Sequence, residues 1–230
     1  MFAVIFEVQP RPGCMTEYLE TAKALRPELD RIDGFISVER FGSLRRDGRL
    51  LSFQTWRDDA AVVRWREHEE HRRVQARGRR VLFADYRLRV GEVTLDSAAG
   101  AAPGPVNTAA AETSPDHGRV ATVTEFEPDA GLRIEGLTGP SDAALVQADG
   151  RLEHDLFESL YAPGKHLLLV SWRDEAAAAA WESRTGLCVG DSPGLRHLRV
   201  RIVRDYGLTD RREAPRRRAD ETSAAPVGSG

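Results

Sequence analysis

Three residues have types and spacing that suggest chemistry: Trp65, His68 and His71. The two histidines are three residues apart in a stretch predicted to be helical, and Trp65 lies on the same side of it. A neutral imidazole can ligate heme iron or act as a general base near pH 7. The alternative is a solvated helical turn, because charged residues surround the pair: Arg64, Arg66, Glu67, Glu69, Glu70, Arg72 and Arg73. No zinc site is expected, because no cysteine or second histidine cluster supplies the remaining ligands.

The segment that carries these residues has a counterpart later in the chain. Three features recur 116 residues apart: F-x-S-L at Phe41 and Phe157, W-R-D at Trp56 and Trp172, and a tryptophan nine residues later at Trp65 and Trp181. The repeat predicts two similar units of about 90 residues each rather than one large domain. Because the second unit keeps the tryptophans without the histidines, any pocket that uses imidazole is expected in the first unit.

The first unit has six predicted elements in the order β-α-β-β-α-β. They are a strand at Ala3–Val8, a helix over residues 15–32 interrupted at Pro27, strands at Phe35–Phe41 and Leu50–Trp56, a helix from Asp58 to Gly78, and a strand at Tyr86–Val93. The polar run Glu67–Glu70 predicts a break in the second helix. This order is typical of the ferredoxin-like α+β fold, an antiparallel sheet with both helices on one face.

The second unit repeats this order with a weak first helix. Its predicted strands are Val120–Phe126, Leu152–Ser159, His166–Trp172 and Arg196–Val203, and its second helix is Asp174–Ser183. Glycines and a proline precede a shortened first helix near Ser141–Ala148.

These patterns predict four segments along the chain. Residues 1–96 form the candidate active unit, and residues 118–208 form a degenerate copy of it. Residues 97–117 are rich in Ala, Gly, Pro, Ser and Thr and are expected to be a flexible linker. Residues 209–230, with the cluster Arg211–Arg218, are expected to be a disordered, solvated tail.

Composition excludes several classes of protein. The net charge is −3, from 33 basic and 36 acidic residues, and the two signs are interleaved, so no nucleic-acid partner is expected. Cys14 and Cys188 are the only cysteines and suggest no disulfide framework. The apolar run Phe2–Phe6 is too short for a signal peptide, and no stretch is long enough to cross a membrane. A soluble cytoplasmic protein with no membrane partner is therefore expected.

Several motifs of the first unit together resemble the antibiotic biosynthesis monooxygenase family, dimeric α+β barrel proteins that include heme-degrading monooxygenases. They are F-x-x-V at Phe35, F-x-S-L at Phe41, W-R-D at Trp56, the tryptophan at 65, E-H-R at Glu70 and the strand Tyr86–Val90. The resemblance covers nearly all of residues 1–96 and is weaker in the second unit. It implies that two units pair sheet against sheet. The tandem units are thus expected to form an intramolecular dimeric α+β barrel, with further homodimerisation left open.

The resemblance also implies a function, the oxygenation of a small aromatic, polyketide-like substrate with O2. No tightly bound cofactor is expected for this chemistry. His71 is the expected base, Trp65 is expected to stack on the substrate, and His68 lies beside them as a further catalytic candidate. Such a site also needs polar groups and a cation to hold the substrate anion. Three residues are candidates for substrate binding: Arg40, Gln54 and Tyr86.

Two alternatives remain open at this point. One is a heme-binding or heme-degrading protein with His71 as the iron ligand, which would make heme a cofactor. The heme-degrading relatives have an asparagine on the first strand, where this chain has only Val4, Ile5 and Phe6. The other alternative is a non-enzymatic ligand-binding or assembly module.

Overall fold

A computed structural model describes residues 1–99, 119–127, 143–185, 187 and 194–215. We call residues 1–99 the first half and residues 119–215 the second half. Most of the expected linker, the glycine-rich stretch before residue 143, Cys188 and residues 216–230 lie outside the described residues. Among the described residues, no helix is both long enough and apolar enough to span a membrane.

The first half has the predicted order of elements. It contains β1 (Phe2–Pro10), α1 (Met15–Ala24), α2 (Arg26–Asp30), β2 (Phe35–Ser43), β3 (Leu50–Trp56), α3 (Asp59–Glu67), α4 (Glu69–Arg77), a π-helical turn (Gly78–Leu82) and β4 (Phe83–Asp96). Pro27 stands at the start of α2, so the predicted interruption of the first helix is confirmed. The predicted break in the second helix is also confirmed, because His68 has an extended backbone (φ −57°, ψ 130°) between α3 and α4.

The second half repeats this order. It contains β5 (Val120–Phe126), α5 (Ala143–Val146), β6 (Arg151–Ser159), β7 (His166–Trp172), α6 (Glu175–Thr185) and β8 (Leu195–Gly207). Gly34 and Gly150, 116 residues apart, both have a positive φ, and a Cβ on either would lie under 3 Å from an alanine Cβ of the following helix. The same close approach of turn and helix therefore recurs in both halves.

The eight strands close into one antiparallel barrel in the order β1-β3-β2-β6-β7-β5-β8-β4. Each half contributes a four-stranded ferredoxin-like sheet. The halves join at a long seam between β4 and β8 and at a short seam between β2 and β6. The predicted intramolecular α+β barrel is confirmed.

The barrel interior is shared by both halves. Its apolar part combines Ile5, Leu51 and Phe53 of the first half with Phe157, Leu167 and Val200 of the second, among others. At one end the interior becomes charged, and Arg89, 1% exposed, contacts Glu7 and the second-half Ser171. A cavity of about 10 Å³ remains there, which is room for about one water molecule. The barrel interior is a packed core rather than a substrate chamber.

Side chains on the outer face of each sheet pack against its helices. In the first half this layer holds two clusters that share Leu88, one around Trp56 and Trp65 and one around Tyr18 and Tyr86. Trp56 and Trp172 are both fully buried, as expected for repeated packing residues.

Candidate active site

Trp65, His68 and His71 form one group of stacked rings on the outer layer of the first half. The His71 ring lies 4.1 Å from the Trp65 ring with an interplanar angle of 13°, and the His68 ring lies 5.6 Å away at 29°. Trp65 is buried among Val4, Val90 and Leu29. The helical spacing that singled out these residues thus corresponds to a real cluster, although α3 and α4 are separate helices.

His71 has a defined hydrogen-bonding arrangement. Its Nδ1 is 2.8 Å from the carbonyl oxygen of Trp65 and must carry the proton to donate there. Its Nε2 is then the acceptor atom, and the side-chain amide of Gln75 lies 3.4 Å from it. Burial lowers the pKa of His71 to about 4, the nearby His68 acts in the same direction, and the carbonyl of Trp65 opposes it. His71 is therefore a neutral imidazole near pH 7.

His68 links the break between α3 and α4 to α2. Its Nε2 is 3.8 Å from a carboxylate oxygen of Glu28, and its Nδ1 is buried without a hydrogen-bond partner among the described residues. This geometry suits a residue that fixes the position of the stacked rings.

The predicted substrate-binding residues lie on the outer face of the sheet. Gln54 accepts a hydrogen bond from the Trp56 indole, 3.2 Å away, so its carbonyl supports packing. Arg40 is half-buried, and its Nε has no partner among the described residues. Burial raises the pKa of Tyr18, and the nearby guanidinium of Arg40 opposes part of this rise. Tyr86 is 5% exposed, and its hydroxyl receives a hydrogen bond from Arg211.

Of these three residues, only Arg40 belongs to a line of register partners that crosses five strands. We call this line of residues the floor row: Arg40, Ser52, Phe6, Leu88 and Tyr206. Only Ser52 in it is buried, and the other four remain partly accessible although they lie beneath the helices. Sequence reasoning missed Ser52, Phe6 and Leu88, which strand alternation places on the outer face together with Arg40. Tyr206 comes from the other half, and sequence reasoning did not assign it to the site.

The equivalent row of the second half is closed. It consists of Leu156, Leu168, Thr124 and His197, each at most 4% exposed. The outer layer that surrounds it is filled by a buried polar network. His197 lies between Thr124 and Glu182, at 2.8 and 3.1 Å, and Arg199 also pairs with Glu182.

This network explains why the row of the second half is closed. The pKa of Glu182 is lowered to about 2, because hydrogen bonds from His197 and Arg199 outweigh the opposing effect of burial. Side chains of this network cover the second-half row, whereas four residues of the floor row stay partly accessible. Sequence reasoning missed His197, Glu182 and Arg199, which come from different elements.

The described residues contain no group of three or more His, Cys, Asp or Glu side chains placed to hold a metal ion.

Comparison with known proteins identifies the family of this chain. The model of the antibiotic biosynthesis monooxygenase family matches residues 1–77. A protein of Pyricularia oryzae (strain 70-15) named Jasmonate monooxygenase ABM is 37% identical over 219 residues, covering 94% of this chain and 97% of that protein. The uncharacterized protein YqjZ of Bacillus subtilis (strain 168) is 35% identical over 93 residues, covering 40% of this chain and 78% of that protein. A solved structure of an anthrone oxidase-like protein is 18% identical, with 93% and 96% of the two chains covered and a TM-score of 0.36. By its similarity to the Pyricularia oryzae protein over nearly the whole chain, this protein belongs to the antibiotic biosynthesis monooxygenase family.

Proposed function

We propose that the protein oxygenates a small cyclic substrate, aromatic and polyketide-like or a cyclic ketone, with O2 in the outer layer of the first half. The observation that carries this proposal is the contrast between the two rows. The floor row is accessible and has Arg40 at one end, whereas its second-half counterpart is buried. A full-length relative named as a jasmonate monooxygenase supports the same class of reaction.

His71 is the proposed base. Its Nδ1 is held by the Trp65 carbonyl, so Nε2 can accept a proton from an acidic C–H or O–H group of the substrate. Trp65 holds the imidazole by stacking at 4.1 Å, and we assign it this positioning role in addition to substrate contact. His68 keeps the ring group in place through the helix break.

Arg40 is the proposed cation for the substrate anion. Arg40 is partly accessible, and its guanidinium carries donors that suit an anionic oxygen. The anion itself supplies the electrons that O2 requires. At an activated methylene group, both hydrogens and one oxygen atom of O2 leave together as a water molecule. The other oxygen atom stays on the carbon as a carbonyl, so the substrate is oxidised and O2 is fully reduced without a further reductant.

Oxygen uptake tests this proposal. Jasmonate and an anthrone are supplied under 18O2, and the product mass is expected to show one incorporated label. His71→Leu, which introduces the residue found at the equivalent position 187, is expected to reduce kcat/KM by about 100-fold or more. His166→Leu in the second half, where the imidazole stacks on Phe126, is the matched control and should leave the rate unchanged.

The heme alternative would use the same atom as the proposed base, the Nε2 of His71, which lies 3.4 Å from the Gln75 amide. Hemin titration separates the heme-binding function from the proposed oxygenation. A Soret shift that disappears in His71→Leu would favour heme binding and contradict the assignment of His71 as a base. If no substrate consumes oxygen and hemin gives no shift, a non-enzymatic binding module becomes the better explanation.

A further inference from the structure

The floor row ends in residues of the second half. Its register partners run from Arg40 on β2 to Tyr206 on β8, four strand spacings apart. At about 4.8 Å per spacing the two ends are about 19 Å apart. Between them lie Ser52, Phe6 and Leu88, a largely apolar floor. The row thus fits a substrate with an apolar body.

The chain after β8 folds back over this end of the row, along residues 208–215. Three hydrogen bonds hold the segment: Gly207 N to Asp210 O at 2.7 Å, Leu208 N to Tyr86 O at 3.2 Å, and Asp205 N to Glu213 Oε2 at 2.7 Å. Residues 209–215 belong to the segment expected to be a solvated tail, and Arg211 of this segment contacts Tyr86 of the first half. The segment therefore places second-half side chains beside Tyr86.

Arg211 is the cation that this segment brings to the row. Its Nη1 donates to the Tyr86 hydroxyl at 2.6 Å, and its guanidinium lies 5.8 Å from the centre of the Tyr206 ring. Two other arginines near Tyr206 are already paired, Arg66 with Glu67 and Arg204 with Asp59. Within the described ranges, Arg211 has no carboxylate at ion-pair distance. Its charge is available to an anionic ligand.

We propose that Arg211 binds a carboxylate of the substrate, so that the site takes a small cyclic acid. This inference rests on the proposed function and adds the substrate class to it. A guanidinium presents a planar fork of donors that matches a carboxylate, and the Tyr86 hydroxyl occupies only one of them. Arg211 and Arg40 lie at opposite ends of the row, and in this proposal the carboxylate contact belongs to Arg211 alone. The second half completes the first-half site.

The test compares an acid with its ester. Binding of jasmonate and of methyl jasmonate is measured without oxygen by calorimetry, on the full-length protein. The wild type is expected to prefer the acid, and Arg211→Ala should weaken acid binding about tenfold while ester binding changes less than about twofold. Arg211→Lys should restore part of the preference. Arg212→Ala is the matched control, because Arg212 is the next residue and bonds to Asp210.

Each result decides the question. An equal loss for acid and ester in Arg211→Ala would show that Arg211 only supports Tyr86 and would overturn the proposal. The same conclusion follows if the wild type does not prefer the acid, or if the preference survives in Arg211→Ala. If the acid preference depends on Arg211 but no oxygen is consumed, the carboxylate site stands and the proposed oxygenation fails.

Discussion

The state of His71 is decided by a few contacts. Its ring is covered on one face by Trp65, its Nδ1 is bonded to a backbone carbonyl, and desolvation keeps it neutral. The His71 pKa of about 4 lies below the ordinary value of 6.5 that applies when the chain is unfolded. Protons therefore bind the unfolded chain more readily, and the contribution of His71 to stability is complete above pH 6.5 and falls as the pH drops toward 4.

This difference between the folded and unfolded pKa of His71 predicts that the protein becomes less stable as the pH falls. Between pH 7 and pH 5 the wild type should lose up to about 2 kcal/mol of unfolding free energy through His71. Urea unfolding at the two pH values measures the loss, and His71→Leu should remove most of it because leucine does not titrate. An unchanged pH dependence in the variant would mean that His71 is not desolvated in solution.

The same pKa predicts the pH profile of the reaction. Since kcat/KM reports the base of the free enzyme, its acid limb should lie near pH 4 rather than near pH 6.5. Steady-state oxygen uptake from pH 4 to pH 8 measures it, with stability followed in parallel. A limb near pH 6.5 would indicate that a more exposed group is the base.

Helical periodicity was enough to find the stacked ring group, because its three residues are neighbours in sequence. The floor row was harder to predict, since its members come from β1, β2, β3, β4 and β8 and meet only through strand register. Arg211 reaches the floor row only because the chain reverses direction after β8. Composition alone described that segment as a solvated tail.

At the scale of elements, each half starts the helix that carries its second tryptophan with an aspartate. Asp58 accepts from Ala61 N at 2.7 Å, and Asp174 accepts from Ala177 N at 2.8 Å. Asp58→Ala and Asp174→Ala should each lower Tm by about 3 °C, as measured by thermal denaturation. Only Asp58→Ala should also reduce kcat, because α3 positions Trp65. Equal effects on kcat would argue against a site confined to the first half.

Most element positions followed from sequence, and the two largest strand extensions have a common cause. Strand β3 and strands β5 and β7 have the predicted bounds, whereas β4 and β8 extend beyond their predicted ends. These two strands pair with each other across the halves, so their length depends on a partner more than 100 residues away. Local propensity does not contain that information.

At the scale of the whole molecule, the two halves share one interior. The buried apolar residues inside the barrel come from all strands of both halves, except β4, whose Arg89 makes a polar contact across the barrel to Ser171. Neither half therefore buries its inner face alone. The second half therefore has a structural role even though its own row is closed. It completes the barrel and supplies the end of the floor row.

A shared interior predicts that the halves unfold together. Arg89→Met leaves the buried Glu7 with Arg49 as its remaining partner, and the cost should be about 2 to 3 kcal/mol. Hydrogen exchange followed by mass spectrometry should show the same increase in β1 and in β5, because both strands open in one transition. The double variant Glu7→Gln/Arg89→Met should recover part of the stability. An increase confined to β1 would mean that the halves are independent folding units, and the second half could then not hold Arg211 in place for the first.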